Sequence, residues 1–459
     1  MAGPRSYRHA MRQFQTLWLP ALVAAASLSL LAACADTVTP LLEIMQGEPP
    51  STEDEVVPVV PATQVDLEPL NLPAPETPLT EDEILPVVPA IEVDLEPLNL
   101  LAPEMQPPQV VDREPGAVRV AILLPLSGPG AGVGLAFLKA AQLALFDHAG
   151  DDFVLMPKDT AGTNFGAEQA MREALVDSAD IVLGPLTASS VRAVSQLAQS
   201  RSVPILAFTN DSSVARANVY VLGITPAQEV ERIVGYAASN GYARIAALVS
   251  EDEYGTAVQQ SLIQSAARHV ADVGQVEYFV PGQVSAGESV PVRSLVSSGG
   301  FDTLLIAAGG RELRLLAPLF PYYDLDPDEV RFLGTSLWGI DQAVIGEPAL
   351  IDGWFAAAPD DDFAGFAARY HRAYGRKPPR RASLAYDALA LTALLANAPG
   401  GADFSRETLT NDEGFVGIDG LFRLREDGYG ERALAVYRVT ARGFEVIDPA
   451  PTALGGAVF

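Results

Sequence analysis

Val118-Arg119-Val120-Ala121-Ile122-Leu123-Leu124-Pro125-Leu126-Ser127-Gly128 is the stretch on which the architecture turns. It is an apolar run with one charge, closed by a proline and a Ser-Gly turn. A strand with one wet face would alternate polar and apolar residues. This one does not, so Val118 to Pro125 reads as a strand buried on both faces, as in a parallel sheet. A helical pattern follows from Gly134 to Asp147, then an apolar burst at Phe153–Met156. The alternation continues. Strands are expected at Ile181–Leu183, Val203–Ala207, Ile245–Val249, Thr303–Ala307 and Val330–Leu333. Helices are expected at Glu168–Val176, Ser189–Gln199, Ala227–Asn240 and Thr256–Val270. Strands alternating with helices indicate an α/β protein with helices covering its sheets. About 330 residues of this pattern accommodate two Rossmann-like lobes with a crevice between them.

Outward from this head, charge divides the chain of 459 residues. Residues 1–33 carry Arg5, Arg8 and Arg12 and no acid. Residues 35–117 carry 18 acids against one base, and 118–459 carry 40 acids against 26 bases, net −14. A chain with a net charge of −28 is repelled by phosphate backbones, so nucleic acid is not an expected partner. The basic start, the uncharged stretch to Cys34 and the ending Leu31-Ala32-Ala33-Cys34 fit a lipoprotein signal peptide over 1–33. Cys34, the sole cysteine, is the expected lipidation site and membrane anchor; the alternative is an ordinary export signal. Ala35 and Asp36 follow it; in well-studied Gram-negative bacteria an aspartate one position earlier favours the inner membrane, so an outer-membrane anchor in the periplasm is expected.

Residues 34–117 read as a tether. They hold 16 prolines and no Phe, Trp or Tyr, a composition that cannot build a core. Thr52 to Glu76 recurs as Thr80 to Glu104, with 20 of 25 positions identical. Two copies are too few for a solenoid, which needs about three. The segment is therefore either a duplicated linker or a pair of docking strands, Val56–Val60 and Ile84–Val88. Extended, it would reach about 250 Å.

Within the head, several landmarks stand in order. They are the opening strand through Gly128, Leu183-Gly184-Pro185-Leu186 with Ser189-Ser190, Val203–Leu206, and Asp252-Glu253-Tyr254-Gly255. Phe366, Tyr370, Tyr374-Gly375 and Pro378 follow, then Ala385-Tyr386-Asp387-Ala388, then Gly417, Gly420, Phe422 and Gly428. Together these resemble the type I periplasmic binding proteins, in particular the leucine/isoleucine/valine-binding group. The resemblance implies a two-lobed domain over 118–450, lobe 1 taking about 118–225 and 352–415, lobe 2 about 226–351 and 416–450.

Candidate ligand contacts are Ser127, Ser189, Ser190, Thr209, Asn210, Tyr254 and Trp338. The serines and Thr209-Asn210 sit where strands end and helices begin, a place whose N–H groups suit anions; the bland alternative is capping alone. Tyr254 either lines the crevice or packs at a helix start, and Trp338 either stacks on a ligand or packs between lobes. The family's amino-acid binders hold the ligand ammonium with an aspartate after the first crossing. Here Gly223-Ile224-Thr225-Pro226-Ala227 has no acid before Glu229, and Gly334-Thr335-Ser336-Leu337 has none either. A buried ammonium without a counter-charge is costly, so an ordinary α-amino acid is not expected.

Catalysis is not expected. The glycines at 128, 130, 132 and 134 miss the G-x-G-x-x-G spacing, and no P-loop, G-x-S-x-G or H-E-x-x-H occurs. His148, His269 and His371 read as surface or helix-end residues, and the runs Glu251–Glu253 and Asp360–Asp362 as solvated helix starts. No metal or cofactor is expected. Signal, tether and head together resemble the penicillin-binding protein activator lipoproteins, whose C-terminal half is leucine-binding-protein-like. That resemblance implies a peptidoglycan synthase (a penicillin-binding protein) as partner. The alternative is the substrate-binding subunit of an ABC transporter for branched-chain amino acids or a related small anionic solute.

Overall fold

The computed structural model describes residues 116–285 and 289–454. Cys34, the signal segment and the repeats lie outside the described residues. The chain divides into Met1–Leu98 and Asn99–Phe459, and all that follows concerns the second unit.

The strands are β1 (Val118–Leu124), β2 (Phe153–Asp159), β3 (Ile181–Leu183), β4 (Ile205–Ala207), β5 (Val219–Val221), β6 (Arg244–Ser250), β7 (Asp272–Phe279), β8 (Thr303–Ala307), β9 (Arg331–Gly334), β10 (Trp354–Ala357), β11 (Phe415–Gly417), β12 (Gly420–Leu424), β13 (Gly430–Arg432), β14 (Ala435–Thr440) and β15 (Gly443–Asp448). The helices are α1 (Ala131–His148), α2 (Asn164–Val176), α3 (Ala188–Ser200), α4 (Pro226–Ser239), α5 (Glu253–Arg268), α6 (Val290–Ser298), α7 (Gly310–Leu316), α8 (Leu319–Tyr322), α9 (Leu337–Ile340), α10 (Phe363–Tyr374), α11 (Ser383–Ala396) and α12 (Arg406–Leu409).

The opening strand is where its sequence puts it. β1 sits inside a five-stranded parallel sheet of order β2-β1-β3-β4-β5. Its side chains alternate between two cores. Val118, Val120, Ile122 and Leu124 pack with α1 and α11, whereas Ala121 and Leu123 pack with α2 and α3. Both faces are covered, which is why the run contains no polar alternation. The second sheet has the order β15-β14-β10-β9-β8-β6-β7. Its first five strands in sequence, β6 to β10, run parallel, while β14 and β15 add antiparallel. β8 repeats the two-faced pattern, with Leu304 and Ile306 on one core and Leu305 and Ala307 on the other. A small antiparallel sheet, β11-β12-β13, completes the fold.

The expected lobe limits need correction. β10 pairs with β9 and β14, so residues 354–357 belong with the second sheet and not with the first from 352 onward. Phe422 and Leu424 of β12 lie in the core of the first sheet, so 416–424 does not join the second. The chain thus passes between the sheets near Leu222, near Ala358 and near Ala433. The physical reason is length: Trp354-Phe355-Ala356-Ala357 is a short apolar run whose partners are set by sheet pairing, which sequence periodicity does not encode.

Candidate functional site

Parallel strands deliver their carboxyl ends to one edge of a sheet, and ligands of such sheets gather there. At the first sheet that edge is built from the segments after β1, β2, β3 and β4. Asp159, the last residue of β2, organises it. Its Oδ1 accepts the backbone N–H groups of Leu126 (2.8 Å), Ser127 (3.1 Å) and Ala161 (2.8 Å). Its Oδ2 accepts the Ser127 hydroxyl at 2.6 Å. Burial works against the charge, yet the Ser127 hydroxyl and the three amides outweigh it and hold this carboxyl below its ordinary range.

Ser127 is therefore committed to a carboxylate within the chain. Ser189 and Ser190 lie in the first turn of α3, but the N-cap is Thr187. Its Oγ1 accepts the Ser190 N–H at 3.3 Å, bonds the Ser190 hydroxyl at 2.9 Å and lies 3.3 Å from the Ser189 hydroxyl. Ser190 is buried and Ser189 exposed. Thr209 is buried, and its hydroxyl oxygen accepts the Asp211 N–H at 3.1 Å. Asn210 differs: it is half-buried after β4, and its side-chain amide has no hydrogen-bond partner among the described residues.

The corresponding edge of the second sheet holds Tyr254. Asp252 caps α5 by accepting the Gly255 N–H at 2.9 Å, and a Cβ on Gly255 would stand 1.8 Å from the Ser250 carbonyl oxygen. That contact is the reason for glycine in the Asp-x-Tyr-Gly turn. The turn points the Tyr254 hydroxyl at Thr335 Oγ1, 2.9 Å away beyond β9. Burial first, and the Glu229 charge second, push the Tyr254 hydroxyl well above its ordinary pKa. Glu229 projects from the buried face of α4 and its Oε1 accepts the Ser336 N–H at 3.1 Å. Burial pushes its carboxyl up to about 7, against the opposing hydrogen bonds from Ser336. The structure thus gathers Tyr254, Thr335, Ser336 and Glu229 at one edge.

Trp338 is not at that edge. It is fully buried in the second sheet's core, with Nε1 donating to the Ile306 carbonyl at 3.1 Å. The expectation of ligand stacking or packing between lobes is corrected: Gly334 and Gly353 lack the side chains that would fill the indole's space, so the ring turns inward. Sequence reading also missed Glu229 as a buried group. The signal was present, because Pro226, Glu229, Val230, Ile233 and Ala237 fall on one helical stripe and all are buried.

A third polar cluster lies where the chain passes between sheets. Asp387 of α11 is fully buried, accepts the Ile418 N–H at 2.7 Å and stands 3.5 Å from Arg432 Nη1. Arg432 Nε donates to the Leu222 carbonyl at 3.1 Å. Asp419 takes an ion pair from Arg380 and the Ser383 hydroxyl at 2.8 Å, and Arg380 Nη2 donates to the Pro359 carbonyl at 3.1 Å. Two aspartates and two arginines thereby tie α11 and the small sheet to two of the crossings. His148 and His269 stand at helix ends, as expected, paired with Tyr386 (3.0 Å) and Glu231 (2.9 Å). Asp252 and Asp362 are the N-caps of α5 and α10. No group of three or more metal-ligating side chains occurs among the described residues.

Comparison with known proteins gives three findings. The sequence pattern of the family described as "Periplasmic binding protein" matches residues 117–443. A putative branched-chain amino acid ABC transporter protein from Rhodospirillum rubrum has the same fold (TM-score 0.64, 19% identity, 72% of this chain and 100% of that one). So do a leucine binding protein from Thermotoga maritima (0.54, 19%, 73% and 99%) and a solute binding protein of R. palustris in complex with benzoate (0.55, 16%, 74% and 98%). Among curated proteins, an uncharacterized protein of Rickettsia prowazekii is 21% identical over 238 residues, half of this chain and 63% of that relative's length.

Proposed function

The chain belongs to the periplasmic binding protein family, which implies a periplasmic location, and from that premise we propose that it works without catalysis as a lipid-moored recognition head regulating peptidoglycan synthesis. The recognition is of a protein, a peptidoglycan synthase of the penicillin-binding type. Cys34 supplies the anchor in the outer membrane, and the proline-rich segment supplies reach across the periplasm. One observation carries this reading: Ser127 and Ser190, at the polar edge of the first sheet, are already bonded from within. Asp159 holds the Ser127 hydroxyl and two loop amides, and Thr187 holds Ser190. An incoming carboxylate would meet a carboxylate where a free-amino-acid receptor needs donors, and like charges that close repel.

The test is capture by the full-length lipoprotein from detergent-solubilised envelopes. A cell-wall synthase should be recovered; recovery of a transporter permease in its place would defeat the reading. Titration calorimetry with leucine, isoleucine or valine should give no saturable heat, and micromolar binding of any of them would count directly against it. Tryptophan emission is a poor reporter here. Trp338 is sealed in the core, and Trp354 lies between the rings of Tyr236 and Tyr242, 5.1 and 5.4 Å away, with the Arg331 guanidinium over it.

A second reading, the substrate-binding subunit of an ABC transporter for a branched-chain amino acid or a related small anionic solute, is favoured by the partnerless Asn210 amide. That amide is half-buried, makes no hydrogen bond to the described residues, and so remains free to bond a ligand.

A further inference from the structure

A groove of about 720 Å³ lies on the first sheet's side of the molecule, between α10, α11 and β11. It contains none of the sequence-predicted ligand residues. Its floor is apolar, formed by Phe366, Leu391, Phe415 and Phe422. Its lip is apolar as well, because Leu394 is 61% and Val416 81% exposed. β11 is an edge strand, paired with β12 on one side only. Asp362, Phe366, Arg369 and Arg372 follow one another along the helical face that forms the wall.

Charge sets this wall apart from the rest of the head. Residues 369–381 contain six bases (Arg369, Arg372, Arg376, Lys377, Arg380, Arg381) and no acid, in a domain with 40 acids against 26 bases. Arg369 is held in place by Asp147 (2.9 Å) and lies over the Tyr386 ring. Arg372, Arg376, Lys377 and Arg381 are exposed and have no ion-pair partner among the described residues. Asp360–Asp362 mark the opposite end of the wall. The site is thus an apolar trough with the unpaired Arg372 on its wall and a strand edge beside it.

We infer that this groove docks an extended, aliphatic and acidic segment of a partner protein. Alternate side chains of an extended segment fill the trough, its carboxylates meet Arg369 and Arg372, and its backbone runs along β11. Arg376 and Lys377 extend the unpaired bases past the end of α10, while Arg380 turns back to pair with Asp360 (3.6 Å) over the Phe363 ring; the unpaired edge of β11 beside these bases favours a peptide. The inference rests on the reading of the head as a protein-recognition module and names the chemistry of what it recognises.

The test uses the full chain and a short fluorescein-labelled peptide alternating glutamate with valine, read by anisotropy. Saturable binding is expected. Arg372→Glu and Leu394→Glu change exposed residues outside the core, and each should weaken binding about tenfold. A lysine–valine peptide should recover the loss with Arg372→Glu and not with Leu394→Glu. No saturable binding, or equal binding by all three proteins, overturns the inference. Synthase capture by the same variants separates the two claims. Capture that persists in both variants overturns the docking site and leaves the recognition role standing. Absence of capture by the unaltered lipoprotein overturns the role, while the peptide titration still decides the groove.

Discussion

Arg432→Met lowers the stability of the head by about 3–5 kcal/mol, measured as a shift of the urea midpoint at neutral pH. The magnitude follows from what the guanidinium does. It is the cation beside Asp387, both side chains are essentially without solvent contact, and it donates to Leu222 where the chain leaves the first sheet. It also lies over the Phe422 ring, 4.9 Å from the centroid. The pair is imperfect: at 3.5 Å the two Nη groups and Asp387 Oδ2 make no hydrogen bond, so desolvation is only partly offset. Burial, and next the negative charge of Asp419, push the Asp387 carboxyl up against the opposing pull of Arg432. Deleting the arginine leaves that carboxylate buried with only Asp419 as a charged neighbour. Two consequences separate this account from simple loss of packing. The variant regains stability as pH falls, because a carboxyl whose folded pKa is raised is favoured where it holds its proton. In addition, Asp387→Asn combined with Arg432→Met is less unstable than Arg432→Met alone, since asparagine keeps an acceptor for the Ile418 N–H and carries no charge. An unchanged midpoint in the single variant, or strict additivity in the double, would remove this ion pair from the account of how the crossings are held.

Much of the architecture was legible because burial on two faces leaves a plain mark. Ile181–Leu183 and Thr303–Ala307 coincide with β3 and β8, and the expected helices overlap α1 to α5. β7 left no such mark: Asp272-Val273-Gly274-Gln275-Val276-Glu277-Tyr278-Phe279 is the edge of its sheet, mostly half-buried or exposed, and reads as polar chain. The site was legible only as places. Ser127, Ser189, Ser190 and Thr209 stand at the carboxyl edge of the first sheet, but which groups bond them depends on Asp159 and Thr187, and for Asp159 that is a contact across 32 residues. Trp338 shows the same limit. Its nearness in sequence to the end of β9 suggested a ring stacked on a ligand or packed between lobes, yet a Cβ on Gly334 would stand 2.3 Å from the indole. The glycine made room for the inward rotamer, and that pairing is visible only in three dimensions. The burial of Asp387 and Glu229 went unread for one shared reason: a carboxylate on an apolar helix stripe is usually a solvated exception, and here both are sealed.

Glu229 carries the clearest pH signature. Its folded pKa stands at about 7 against an ordinary 4.5. Between those values the folded chain retains a proton that the unfolded chain has released, so the head loses stability as pH rises from about 4.5 to about 7 and levels off above. The span is two to three pH units, which corresponds to about 3 kcal/mol. Glu229→Gln keeps an oxygen to accept the Ser336 N–H and removes the titration. The stability difference between variant and wild type, followed by urea unfolding from pH 4.5 to 8, should shift by that amount in favour of glutamine at the alkaline end. Asp387 and every other titrating group cancel in the difference, so a flat line would mean that Glu229 is ionised and solvated in the folded chain. The same carboxyl lies at the one polar edge where Tyr254 and Thr335 already meet. A neutral Glu229 offers a hydrogen-bond donor there and no counter-charge for an ammonium, so below pH 7 an α-amino acid finds no charged anchor at the second sheet's edge. Glutamine should therefore leave synthase capture unchanged; its loss in a variant that is folded at pH 7 would draw this edge into the partner contact.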